Sequence, residues 1–282
     1  MASVAAVLIP LTLFTLMLAL GLGLPLDAFQ QWRRHGPLLL RVELAACLLV
    51  PLLAWLLLST PPARALSVEA RHGIALMAAC PSAPLILRKA GRSGGNLAEA
   101  GLLQVTAAVL AILTVPVLAK VGQQVFGVEG WEVPPQQVAL QVGQVQLLPL
   151  VAGVLLRRRF PATMARLQEP LDRIANLLLM LLVLALLVQT LPRLLPFMAA
   201  NGAAVLLMVL VVLGSLGLGY ALAGEGRQRR ITAAAVTSMR NPGLALLLAS
   251  THAPQFPDVK LAILLYLLIT VLVSAPLLKR MR

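Results

Sequence analysis

Cys80-Pro81-Ser82-Ala83-Pro84 and Met239-Arg240-Asn241-Pro242-Gly243 each interrupt a long apolar run near its centre. Proline lacks a backbone N–H and clashes with the carbonyl four residues back, so neither run is expected to continue as one unbroken helix. In hydrocarbon every backbone N–H and C=O must find a partner, and a broken helix persists only where protein or a watered cavity surrounds it. Paired interruptions in the two halves of a membrane chain are the best sequence pointer to a transporter's binding site. The second interruption also carries a fixed charge, Arg240.

The remaining sequence supplies the membrane context. The chain has 282 residues, is 60% hydrophobic and 12% charged, and has a mean hydropathy of +0.91; a soluble domain carries about 25% charged residues. Its apolar runs reach the roughly 20 residues that a bilayer crossing takes. A polytopic all-α membrane protein without a sizeable soluble domain is expected. The first run lacks a basic start and is read as a span, not a cleaved signal. The net charge of +13 would point to nucleic acid in a soluble protein. Here the basic residues sit in short connections without the aromatic interleaving of a nucleic-acid surface. Cys47 and Cys80, both in apolar segments, offer neither a disulfide framework nor a metal cluster, and no cofactor or metal site is expected.

Nine spans are read at about 3–24, 38–59, 72–88, 97–119, 138–156, 174–192, 203–223, 231–250 and 259–278. Sixteen of the 23 basic residues fall in one alternating set of connections and five in the other, with Arg41 and Arg240 inside spans. By the positive-inside rule this places the N-terminus outside and the C-terminus inside, in the inner membrane if the source is bacterial. The third and eighth spans, which carry the breaks, then run antiparallel, as an inverted repeat demands. The expected repeats are 1–137, with spans one to four, and 138–282, with spans five to nine. The connection 123–137 has no basic residue and suits an outer-face boundary between them. The basic connection 157–173 has two readings, a topology signal and a contact with anionic headgroups.

Ionisable residues within spans are the informative set, because a charge at the bilayer centre costs on the order of 3 kcal/mol. Arg41 and Glu43 lie near the inner end of span two, where Arg41 can snorkel and Glu43 can take a local partner. Glu99 lies one turn into span four, and either favours the positive end of its helix, faces Arg88 or Lys89, or lines a permeation path. Arg240 either caps freed carbonyls, pairs with Glu43 or Glu99, or meets a substrate with its planar donor fork. Asn96 is an acceptable cap for span four. Gln104 and Thr106 lie deeper on that span. Gln137, Gln141 and Gln144 form a stripe on span five that packs against a neighbour or lines a path. Gly214-Ser215-Leu216-Gly217-Leu218-Gly219 permits close helix contact. No nucleophile–base set or phosphate-binding loop occurs, so an enzyme is not expected.

At these positions the chain resembles the bile-acid:sodium symporter family over essentially its whole length. The stretch 17–24 (MLALGLGL) is similar to that family's first span, and Pro51-Leu52-Leu53-Ala54-Trp55 to its next. Cys80-Pro81 followed by Gly95-Asn96 resembles its first crossing helix. Asn241, Gly243, Leu244 and Ala245 fall on its second crossing motif, E-x-G-x-Q-N-x-G-L-A. The resemblance implies two discontinuous crossing helices in a core domain, a panel domain, and organic-anion transport by alternating access.

The departures concern the family's sodium ligands. The glutamate and glutamine of the second motif align with Val236 and Arg240, a serine–asparagine pair with Ile86 and Leu87, and an earlier glutamine with Ala46. A serine and a threonine align with Ala100 and Gln104, allowing an insertion near Arg92. Hard cations need several oxygen ligands, so both sodium sites are expected to be degraded, with Arg240 standing in for the lost cation. The expected function is therefore a secondary transporter of a small organic anion, sodium-independent or weakly sodium-dependent. The alternative is a non-transporting receptor or scaffold that keeps the fold. The expected substrate contacts are Pro81, Ser82, Ala83, Pro84, Thr237, Ser238, Arg240, Asn241 and Pro242. Glu43, Glu99 and Gln104 are the candidates for coupling to a proton or, failing that, sodium.

Overall fold

The structure, a computed structural model, describes residues 2–24, 28–81, 90, 93–126 and 134–281. In chain order they form α1 (Ala2–Gly23), α2 (Ala28–Leu44), a π-helical turn (Ala45–Leu49), α3 (Val50–Leu58), α4 (Pro61–Arg64), α5 (Val68–Ala79) and α6 (Leu97–Phe126). There follow α7 (Pro135–Val142), a second π turn (Gly143–Leu147), α8 (Leu148–Arg159), α9 (Pro161–Ala200), α10 (Gly202–Leu222), α11 (Arg227–Ser238), α12 (Pro242–His252) and α13 (Asp258–Arg280). No strand occurs among the described residues. Six helical segments among them are long and apolar enough to cross a membrane, and Val7–Gly23 is a shorter apolar helix. The protein is an all-helical, polytopic membrane protein.

Both expected interruptions whose residues are described are unwound. Helix α5 stops at Ala79 and Cys80 turns to extended backbone, φ −89°, ψ 98°. Helix α11 stops at Ser238, and Met239 (φ −86°, ψ 100°) and Asn241 (φ −93°, ψ 89°) are also non-helical. Pro242 then opens α12, at a position where its missing N–H would be unpaired in any case. Ser82, Ala83 and Pro84 lie outside the described residues, as do Ile86, Leu87, Arg88, Lys89 and Arg92.

The two π turns have one cause. Pro51 and Pro149 each follow a π turn by two residues. A proline inside an α-helix cannot donate to, and collides with, the carbonyl four residues earlier. Widening that turn relieves the collision, and the Val50 N–H accordingly donates to the Ala45 carbonyl, five residues back. The Ala46 carbonyl is left without a donor from its own helix.

The basic segment 157–173 departs from its reading as a connection. Only Phe160 is non-helical; Pro161 starts α9, which runs for 40 residues. At about 1.5 Å per residue this is near 60 Å, roughly twice the hydrocarbon thickness, so the Arg166 and Arg173 end projects beyond the span. An exposed Arg173–Glu169 pair at 2.5 Å supports that end.

Packing groups the helices across the expected boundary at 137/138. Helix α1 lies on α8 and α9. A Cβ on Gly21 would fall 2.3 Å from the Leu150 carbonyl oxygen, and one on Gly153 would fall 2.5 Å from that of Leu18. The backbones of α1 and α8 therefore touch, which only glycine allows. Elsewhere α10 packs on α11, α13 and α3, α5 on α13, and α2 on α6. Leu13 of α1 reaches Gly243 at the start of α12, so the two groups meet beside the second break.

Candidate functional site

The two unwound segments meet each other. The Asn241 N–H donates to the Cys80 carbonyl at 3.1 Å. Asn241 Oδ1 accepts from the Leu244 N–H at 3.0 Å and caps α12. Its Nδ2, buried, makes no hydrogen bond. Pro81, beside the first break, is buried.

Arg240 stands between the breaks with 2% exposure. Its Nε donates to the Met77 carbonyl at 3.3 Å, and one Nη1 hydrogen to Ala46 at 2.9 Å. The other Nη1 hydrogen points at Thr237 at 3.5 Å, and Nη2 donates to Ala78. Met77 and Ala78 are in the last turn of α5, and Thr237 in the last turn of α11. A helix leaves its final carbonyls unpaired and presents a partial negative charge there. One guanidinium thus answers two helix C-termini and the carbonyl that Pro51 frees. Four acceptors for five N–H groups leave one Nη2 hydrogen over. Buried charges persist when bonded in this way.

The same geometry tests a sodium ion. A hard cation is held by several oxygen ligands, and the carbonyl oxygens of Met77, Ala46, Thr237 and Ala78 accept from the guanidinium instead. Among the described residues no group of three or more His, Cys, Asp or Glu side chains could hold a metal.

Two other expected contacts, Thr237 and Ser238, have hydrogen-bond partners within the protein. Thr237 Oγ1 donates to the Ser215 carbonyl at 2.7 Å, and Ser238 Oγ lies 3.3 Å from that of Ala235. The Thr237 contact crosses to α10 at the small-residue stretch, where a Cβ on Gly219 would fall 2.2 Å from Thr237 Oγ1. Gln141 Nε2 donates to Thr251 Oγ1 at 2.9 Å, a packing contact, while Gln137 and Gln144 are exposed. Gln104 is buried in α6.

The three carboxylate and basic candidates separate. Arg41 Nε bonds the Pro37 carbonyl of its own helix at 3.0 Å. Glu99 Oε1 accepts from Arg229 Nε at 2.8 Å, with His35 Nε2 at 3.7 Å. Asn96 caps α6, accepting from the Glu99 N–H at 3.1 Å, and its own N–H donates to Thr232 Oγ1 at 2.8 Å. Glu43 is 3% exposed, with Cys47 Sγ 3.7 Å from Oε2 and no hydrogen bond at Oε1. It lies at the base of a groove of about 790 Å³ between α2 and α6, walled by leucines and by Thr106 and Thr114.

Sequence reasoning did not anticipate Tyr266, fully buried on α13 with an unbonded hydroxyl within electrostatic reach of Arg240. A tyrosine in the apolar span 259–278 was the signal available. Nor did it pair Glu99 with Arg229, which only the packing of α6 on α11 brings together.

Comparison with known proteins gives the family of the chain. A probable sodium/metabolite cotransporter, BASS2, of the rice chloroplast (Oryza sativa subsp. japonica) is 28% identical over 245 residues, covering 84% of this chain and 55% of that protein. The chain thus spans about half the length of the curated relative it matches. The family model of the sodium bile acid symporters matches residues 10–195, most of the chain and including the first break. The chain belongs to the sodium bile acid symporter family.

Proposed function

We propose that this protein is a secondary transporter of a small organic anion, working by alternating access with little or no dependence on sodium. The observation that carries the reading is the crossing itself: two unwound segments bonded to each other around a buried guanidinium. Irregular backbone at membrane depth is tolerated in protein or around a cavity and marks transporter sites. Helix α12 begins at the break, so the positive end of its dipole faces the crossing. The spare Nη2 hydrogen of Arg240 and the unbonded Asn241 Nδ2 are donors for a carboxylate or sulfonate. Pro81 and Pro242 keep the surrounding backbone open.

The proposed architecture has nine spans in inverted repeats, 1–137 and 138–282, with the N-terminus outside. One body is α1, α8 and α9; it rocks against the body that holds both breaks. Arg240 supplies the positive charge that a co-transported sodium would otherwise bring.

The test is uptake of labelled taurocholate and of smaller carboxylates into proteoliposomes, with sodium exchanged for potassium. Saturable uptake of equal rate in the two salts is expected. Strong, saturable stimulation by sodium overturns the sodium-independent reading. Binding of an anion with no flux in either salt overturns transport in favour of a receptor that keeps the fold.

A further inference from the structure

We propose that Glu43 is a proton-binding site, set in the groove between α2 and α6, whose proton is exchanged against the Arg240 guanidinium during transport. The coupling step rests on the transporter reading above; the proton site itself does not.

The argument starts from the groove. Its walls are Leu39, Leu40, Leu44, Leu48, Leu110, Leu113 and Val117, several of them exposed toward where lipid tails would lie. At its base one polar acid, Glu43, keeps an oxygen that makes no hydrogen bond. An ionised carboxylate away from water is costly unless paired, and an intramembrane acid is by default a functional group with a partner to be named. A single free oxygen beside a thiol is too few ligands for a metal ion, whereas a proton needs only the one.

The partner follows from the π turn. Arg240 Nη1 bonds the Ala46 carbonyl, three residues after Glu43, and the guanidinium is within electrostatic reach of the carboxyl. Among the described residues, the groups with charge or a titratable proton that face Glu43 are Cys47 on its own rod and Arg240 from the second break. Helix α6 faces it with Thr106 and Thr114, which are neutral. With Glu43 protonated, the guanidinium stays on Ala46, as observed. When the break moves, Nη1 leaves Ala46 for Oε1, and the carboxyl O–H proton passes to water at the Trp32 and Gly36 end of the groove, two turns along α2. The positive charge then sits paired and no longer free to hold an anion, so proton release accompanies anion release.

A hydrophobic carbodiimide tests the site. It enters from lipid and adds to protonated carboxyls in apolar surroundings. Applied to the full chain in liposomes over an acid-to-alkaline series and read by peptide mass spectrometry, it is expected to modify Glu43, less as pH rises, and to spare Glu99, which Arg229 engages. No adduct at Glu43 at any pH, or equal modification of Glu99, overturns the proposal; this readout needs no variant to fold. In the second arm an inward-directed proton gradient accelerates taurocholate uptake by the wild type and not by Glu43→Gln. Acceleration that survives Glu43→Gln overturns the coupling step. A Glu43 adduct in a protein that moves no anion supports the proton site and removes the transporter reading instead.

Discussion

Arg240 joins segments that lie far apart in the chain: its acceptors are 163, 194 and 3 residues away, with Ala78 at 162. That a charge stood mid-span next to a break was legible from Met239-Arg240-Asn241-Pro242-Gly243 alone. Which carbonyls it meets was not, because they are freed by the end of α5 and by a proline in another rod. Arg240→Gln removes the charge and at least two of the donors. Each buried carbonyl left unpaired costs about 1–3 kcal/mol, so the variant in detergent and potassium chloride is expected to unfold at a lower temperature than the wild type. It also reopens the carbonyl cluster and places an amide oxygen beside it. Sodium chloride is therefore expected to raise the unfolding temperature of Arg240→Gln over potassium chloride, while the wild type responds equally to both. A sodium-specific shift in the wild type, or none in the variant, contradicts the account of the guanidinium as a built-in cation.

At the scale of elements the breaks were readable because proline and glycine act locally, whereas the π turns were not. Pro51 was visible, but whether a helix answers a proline by kinking, ending or widening depends on what packs beside it. Here Arg240 takes the Ala46 carbonyl that widening releases, and so stabilises the π turn. The continuous α9 was missed for the opposite reason: a basic segment with Pro161 and Pro170 resembles a connection, yet Pro161 stands at a helix start, where it is favoured. The dependence of the π turn on Arg240 is measurable by a double-mutant cycle. Pro51→Ala supplies an N–H that competes for the same carbonyls, so its effect on stability differs when Arg240 is already glutamine. An interaction term of about 0.5–3 kcal/mol is expected for groups that share a partner, from denaturation of the two single variants and the double. Strict additivity shows that the widened turn and the guanidinium are independent.

For the whole molecule, the charge pattern is more informative than any single span. Short basic connections are retained on the cytoplasmic side during insertion, and in the proposed nine-span order the basic residues divide sixteen to five between alternating connections. The grouping of α1 with α8 and α9 was not readable in the same way, because it turns on Gly21 and Gly153, two glycines with no pattern to set them apart from the other 18. Orientation can be tested without knowing the substrate. Cys47 and Cys80 are both buried, so background reaction with a membrane-impermeant maleimide is low. Ser59, between α3 and α4, and Arg280, at the end of α13, are both exposed, and an odd number of crossings separates them in the proposed nine-span order. Ser59→Cys is expected to react in intact cells and Arg280→Cys only after the membrane is permeabilised. The reverse pattern inverts the protein in the membrane, and reaction of both in intact cells makes the number of crossings between them even. In that case the nine-span order fails, and the inverted repeat, with the rocking motion built on it, loses its basis.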